Sequence, residues 1–288
     1  MNKIIEKIKN FNELVAFSHS IFSLPFIFIA MITAANGWFG FKLLIFGIIA
    51  AVSARNFAMG FNRFIDRDID AKNPRTVSRP SVDGRINANS ILVFCIINAF
   101  VFIATAYIVN NLAFYLSIPI LAIIGSYSYF KRFSYFAHII LGISLGLAPI
   151  AGVVAVLETI PIWSIYLSIG VLFWVAGFDL LYSLQDIDVD KTLGLHSIPS
   201  KFGVSNTFLI SKIFHFMTIL FWGMFVLEAG LGLFAKIAIL LSAIMLSYEH
   251  HLVSKDFSKI DKAFFTVNGY LGVLFLVLII LDFILKGV

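Results

Sequence analysis

The chain has 288 residues, is 60% hydrophobic with a mean hydropathy of +0.97, and only 13% of it is charged. Soluble domains are about 45–50% apolar with about a quarter of their residues charged, so a soluble globular domain is excluded. The net charge of +5 is no nucleic-acid signature, because the basic residues fall in loops on one side of a membrane, and the single cysteine, Cys95, excludes an intrachain disulfide or a cysteine metal cluster.

Residues 1–15 place Ile4, Ile8, Phe11 and Val15 on one helical face with Lys3, Lys7 and Lys9 elsewhere. This reads as a short interfacial helix. A signal peptide is disfavoured, because the apolar run that follows is long and no small-residue cleavage site closes it. Nine apolar segments follow, at about 16–35, 41–62, 90–109, 112–130, 136–157, 162–185, 206–227, 232–249 and 264–285. About 20 residues are needed to cross about 30 Å of hydrocarbon. Lipid offers no partner to an unpaired backbone group, so the spans are helices. The expected architecture is all-α, with nine transmembrane helices around a central cavity in one membrane-embedded domain over residues 1–288. Asn110-Asn111 makes a tight turn between the third and fourth spans.

Orientation follows from lysine and arginine. With the N-terminus cytoplasmic, seventeen of the 21 fall in inside loops. The other side holds Lys42, Lys236 and Lys286, and Arg55 lies within a helix. This puts two acidic stretches on the cytoplasmic side of an inner or plasma membrane. They are Asn62–Pro80 (NRFIDRDIDAKNPRTVSRP) and Asp179–Lys191 (DLLYSLQDIDVDK). Asp66 and Asp186 are 120 residues apart, as are Asp70 and Asp190, and each pair ends an even-numbered span. Two four-helix halves plus one added helix would explain that spacing. The long connections 63–89 and 186–205 are candidate cytoplasmic caps that close over a site.

If each stretch continues as a helix, Asn62, Asp66 and Asp70 share one face at i, i+4 and i+8, with Arg55 and Met59 extending it inward. Asp179, Tyr182, Asp186 and Asp190 share another, with Gln185 nearby. Asp68 and Asp188 point away. The helix phase therefore selects Asp66, Asp70, Asp186 and Asp190. Four converging carboxylates repel unless a divalent cation relieves them. Mg2+ is typically held by one or two carboxylates plus substrate phosphates, so two pairs suit two ions bridged by a diphosphate. Arg75, Arg79, Lys131 and Arg132 are available for its oxygens. The plainer reading, solvated loop charges pairing with each other, is preferred for Arg67, Asp68, Asp83 and Asp188. It is weak for Arg55 and Asp179, because a charge inside a span costs about 2.5–3.5 kcal/mol or more. The six histidines show no metal-ligand spacing and read as packing or interfacial residues. Gly142, Gly146, Pro149 and Gly152 give the fifth span a small-residue face, for close packing or as a cavity wall.

These motifs carry a resemblance. NxxxDxxxD at Asn62–Asp70, NPRTxxRP at Asn73–Pro80, YxxxKR at Tyr127–Arg132 and DxxYxxxDxxxDK at Asp179–Lys191 resemble the signature of the UbiA superfamily of intramembrane prenyltransferases. Tyr182–Gly203 is similar to the 4-hydroxybenzoate polyprenyltransferase branch and its menaquinone-pathway relatives. Arg63 stands where the family often has a further aspartate. The resemblance implies a polyprenyl diphosphate donor, an aromatic acceptor, Mg2+ as cofactor and a lateral opening for the lipid tail. It implies that Asn62, Asp66, Asp70, Asp186 and Asp190 hold the metal. Arg75, Arg79, Lys131 and Arg132 would steady the departing diphosphate, with Asp179 and Lys191 also at the substrate. Tyr127 and Tyr182 are candidates to face the allylic cation, and Arg55 would meet either the acceptor's carboxylate or the diphosphate. A dihydroxynaphthoate, heme or lipid acceptor is the alternative within the class. A secondary transporter is the alternative outside it, although a transporter concentrates charge near the midplane and these acids cluster at helix ends.

Overall fold

The computed structural model describes residues 2–15 and 24–285. The described residues are helical, with no strand among them. In order the helices are α1 (Asn2–Leu14), α2 (Leu24–Ala35), α3 (Phe41–Ile65), the short α4 (Arg67–Asp70), α5 (Ala88–Val109), α6 (Asn111–Phe130), α7 (Ala137–Leu157), α8 (Ile162–Tyr182), α9 (Ile187–Leu193), α10 (Ile198–Glu228), α11 (Leu233–Lys255), α12 (Ile260–Lys262) and α13 (Asn268–Leu285). Eight helical stretches are long and apolar enough to cross a membrane. The first expected span, 16–35, is described only from Leu24, as a 12-residue apolar helix. Its remainder lies outside the described residues, as does His19.

Local chemistry sets the helix ends. Asn87 accepts from the Ser90 N–H to start α5, and Asn110 accepts from the Ala113 N–H to start α6. These caps satisfy amides that the helix itself leaves orphaned. Asn110 is thus a one-residue joint. The Ser197 and Ser200 hydroxyls cap α10 reciprocally, so residues 198–205, expected as part of a loop, are helical up to a kink at Gly203, where φ is 76°. Gly232, with no side chain to cap α11, borrows one. Asp282 on α13 accepts from the backbone N–H groups of Gly232 (2.6 Å) and Phe234 (3.0 Å), and its charge opposes the helix dipole.

The core lies on α8. Trp174 and Trp222 are fully buried and stack about Phe26 and Phe275. The Trp174 indole donates to Asn268, whose amide donates to the buried Glu249. That chain ties α8, α11 and α13 together through buried hydrogen bonds, with Asn268 on one Glu249 carboxyl oxygen, Oε1, only. On α7 the small face is a contact surface. A Cβ added at Gly142 would meet the Leu172 carbonyl, and one at Gly146 would lie 2.9 Å from the Ser168 carbonyl. α7 and α8 therefore touch backbone to backbone, as small residues permit. Gly152 instead faces α2, where a Cβ would lie 2.7 Å from the Ile27 carbonyl.

Candidate active site

A cavity of about 500 Å³ opens among α2, α3, α6, α7 and α8. Along α3 its lining residues run from Leu43 to Asp66 on one stripe, roughly 35 Å of helix at 1.5 Å per residue. Deep positions are apolar, including Met31, Phe46, Ala50, Phe102, Ile120 and Ala148. The other end is polar, with Asn62, Asp66, Asp70, Asn73, Arg75, Arg79, Lys131, Asp186 and Asp190.

Neither acidic stretch is a continuous helix. α3 ends at Ile65 and the chain bends at Asp66, with φ −90° and ψ 8°, before α4 resumes. α8 ends at Tyr182, a 3-10 turn covers Ser183–Asp186, and the chain bends at Asp186, with φ −105° and ψ 3°. The expectation of unbroken helices is corrected here, yet the four selected aspartates all line the cavity and Asp68 and Asp188 do not. Residues 63–89 are likewise no open loop: Asp66, Ile69, Asp70, Asn73, Thr76, Ser81 and Ile86 are buried, and Thr76 anchors the turn by donating to the Asp70 carbonyl.

The carboxylates are held by cations. Asp66 pairs with Lys131 at 2.8 Å and accepts from the Asn62 amide at 2.8 Å. Asp70 pairs with Arg79 at 2.7 Å. Asp186 is gripped by both ends of the Arg75 guanidinium, with Nε at 3.1 Å, and accepts from the Asn73 amide at 2.9 Å. Arg75 also donates to the Tyr182 hydroxyl at 2.8 Å. Burial pushes the Asp66 carboxyl above its ordinary range, against the pull of Lys131. Outside the cavity, the Arg132 fork on Asp68 holds that exposed carboxyl down at about 2.

Of the other expected residues, Tyr127, Tyr182, Arg55 and Asp179 line the cavity. Arg55 donates to the Val15 carbonyl at 2.9 Å. Arg132 and Lys191 are not among the lining residues. Arg132 is taken up by Asp68 and the Ile65 carbonyl, and Lys191 is exposed on α9. Arg63, where the family often has an acid, donates to the Leu14 carbonyl (3.3 Å) and so ties α1 to α3.

Three residues escaped the sequence reading. Asn73 supports Asp186 from 113 positions away. Phe264 sits in a π-helical turn, Ala263–Val267, that brings its ring to the cavity and 4.3 Å from that of Tyr182. His138 pairs through Nδ1 with Asp179 at 2.7 Å. Asn73 opens the NPRTxxRP motif, where the sequence reading gives it no role, and no signal in the sequence marks Phe264. For the third, a histidine and an aspartate near the facing ends of two adjacent apolar spans were visible.

Among the described residues no group of three or more acidic, histidine or cysteine side chains is poised as a metal centre. The fit to Mg2+ rests on a different observation. Asp66 Oδ1 and Asp70 Oδ2 are buried with no hydrogen-bond partner, and an orphaned carboxylate oxygen is costly unless something completes it. A hard cation that needs one or two carboxylates plus phosphate oxygens suits these donors.

Residues 23–279 match the UbiA prenyltransferase family. The chain is 28% identical over 257 residues to a 4-hydroxybenzoate octaprenyltransferase of Janthinobacterium sp. (strain Marseille), covering 89% of this chain and 90% of that one. It superposes on the apo structure of a UbiA homolog from Aeropyrum pernix K1 with a TM-score of 0.83 and 29% identity, over 92% of this chain and 98% of the other. The fold also matches a UbiA homolog from Archaeoglobus fulgidus bound to GPP and Mg2+, at a TM-score of 0.77 and 20% identity, over 94% and 99% of the two chains. The transporter alternative falls with these matches. The chain is an integral membrane protein and a prenyl-transferring enzyme, and it belongs to the UbiA prenyltransferase family.

Proposed function

We propose that the chain transfers a polyprenyl group from a polyprenyl diphosphate to the ring of an aromatic acid, 4-hydroxybenzoate or a close analogue, in quinone biosynthesis. One observation carries the reading. Three carboxylate–cation pairs, Asp66–Lys131, Asp70–Arg79 and Asp186–Arg75, line the polar end of a cavity whose remainder is apolar along the length of α3. A diphosphate with a hydrocarbon tail has that polarity. The curated relatives' names supply the acceptor, and the archaeal homolog's bound GPP and Mg2+ supply the donor class and the metal.

In this reading Asp66, Asp70, Asp186 and Asp190 would hold Mg2+, with Asn62 assisting, and Mg2+ bound there would supply positive charge against the charge developing on the diphosphate. Lys131, Arg79 and Arg75 turn from the carboxylates to the diphosphate oxygens and stabilise them as the C1–O bond breaks. The Tyr182 ring, braced by Phe264 and by the Arg75 bond to its hydroxyl, presents a π face to the allylic cation. The apolar wall keeps water away from it. The acceptor ring then forms the new C–C bond and loses a proton. The lysine and arginine distribution puts this end of the cavity at the cytoplasmic side, with nine spans and the N-terminus inside.

The test is transfer from a polyprenyl diphosphate to radiolabelled 4-hydroxybenzoate by the purified protein in liposomes, with EDTA as control. A labelled lipid-soluble product that vanishes with EDTA is expected. Product from a dihydroxynaphthoate, a heme or a glycerol lipid, and none from 4-hydroxybenzoate, would overturn the acceptor.

A further inference from the structure

We propose that His138, oriented by Asp179, is the general base that takes the ring proton from the prenylated acceptor. The inference rests on the transfer reading above. His138 opens α7 and Asp179 lies near the end of α8, and both line the cavity. The His138 ring is buried, 6% exposed, and its Nδ1 lies 2.7 Å from Asp179 Oδ2. The opposite nitrogen, Nε2, is buried with no hydrogen-bond partner among the described residues. A carboxylate that accepts from Nδ1–H fixes the tautomer and leaves a lone pair on Nε2. The arrangement is a base with its orienting acid and an unpartnered proton-accepting atom, on a side chain that lines the reaction chamber.

The surrounding charge suits the task. Asp179 stabilises the imidazolium once the proton has arrived. The four metal-site aspartates are poor candidates, because in this reading a divalent cation would occupy their lone pairs.

The step balances. The C1–O bond of the prenyl diphosphate breaks and its electron pair leaves with the diphosphate. A π pair of the acceptor ring, ortho to the hydroxyl, forms the bond to C1. The C–H bond at that ring carbon then breaks. Its electron pair restores aromaticity and its proton goes to His138 Nε2, to be passed to water when product leaves.

The experiment compares 4-hydroxybenzoate with its 3,5-dideuterated form, using geranyl diphosphate, Mg2+ and the full chain in liposomes. In the wild type, ionisation is slow and proton loss fast, so no isotope effect is expected. His138→Ala should lower kcat by about 10²–10⁴-fold, show a clear primary isotope effect because proton loss has become limiting, and regain rate with added imidazole. Asp179→Asn should show the same isotope effect at a smaller loss of kcat. His138→Gln preserves the bond to Asp179 and the volume but cannot take the proton, so it carries the same expectation if the alanine variant does not insert. A His138→Gln or His138→Ala enzyme with wild-type kcat, or with reduced kcat and no isotope effect, would overturn the base assignment alone. No product from the wild type would overturn the transfer reading, and the base with it.

Discussion

Asp66 and Asp186 bend the chain in the same way. They lie 120 residues apart, one after α3 and one after α8, and each sits at a helix break with φ near −100° and ψ near 0°. Each carboxylate then meets a cation from another part of the chain, Lys131 for Asp66 and Arg75 for Asp186. The spacing that suggests a duplication thus has a backbone counterpart.

Both residues should be indispensable. Asp66→Ala and Asp186→Ala are expected to lower kcat by at least about 10²–10³-fold while the protein still inserts and elutes as a single species. Asp68→Ala, which removes only the exposed partner of Arg132, should retain most activity. The check is single-turnover prenyl transfer by the three variants side by side.

Arg75 makes contacts that lysine cannot reproduce, since its planar fork spans both Asp186 oxygens and reaches the Tyr182 hydroxyl. Arg75→Lys keeps the charge and loses the fork. kcat/KM should fall about 10- to 100-fold, equivalent to about 1.4–2.8 kcal/mol, and Tyr182→Phe should add little to that loss in the double variant.

Metal and diphosphate should bind together. Three of the site's carboxylates are paired with arginine or lysine, so a lone cation meets competition and a lone diphosphate meets occupied cations. Thermal melting should move little with Mg2+ alone or pyrophosphate alone. The two together should stabilise the fold by about 2–3 kcal/mol at a hundredfold excess over Kd. Equal shifts from the separate ligands would count against this coupling.

Asp282 lies far from the chemistry and should matter to stability only. Asp282→Ala strands the Gly232 and Phe234 N–H groups inside the protein, at a cost of about 2–3 kcal/mol. A lower melting temperature with unchanged specific activity of the folded fraction is the expected pair of results.

Much of this was legible in the sequence. The apolar runs located the ends of α3, α5, α6, α7 and α8 within about three residues, because hydrocarbon thickness dictates length and composition together. Helix phase separated Asp66 from Asp68 although α3 stops just before both, at Ile65, because i to i−4 backbone bonds from the Asp66 N–H to the Asn62 carbonyl and from the Asp70 N–H to the Asp66 carbonyl carry the register across the break. What escaped depended on contacts remote in sequence or on departures from a regular helix. The capping box that begins α10 inside an expected loop is local, but Ser-Ile-Pro-Ser lies in a polar, unperiodic stretch. Arg132 is drawn away by Asp68, a residue that spacing alone rated as solvated. Asn73 reaches Asp186, and Phe264 reaches Tyr182 through a π turn, and no periodicity encodes either.

The paired glycines of α7 reach further than packing. Gly142 lies one turn after His138, and its neighbours Leu172 and Ala176 lie on α8 one to two turns before Asp179. The separation of the two helices at that point sets the reach of the imidazole to the carboxylate. A single methyl group at position 142 would act as a wedge, prising the dyad apart without ever entering the chamber. The alignment of the proposed proton acceptor is thus held by an atom that the sequence leaves out.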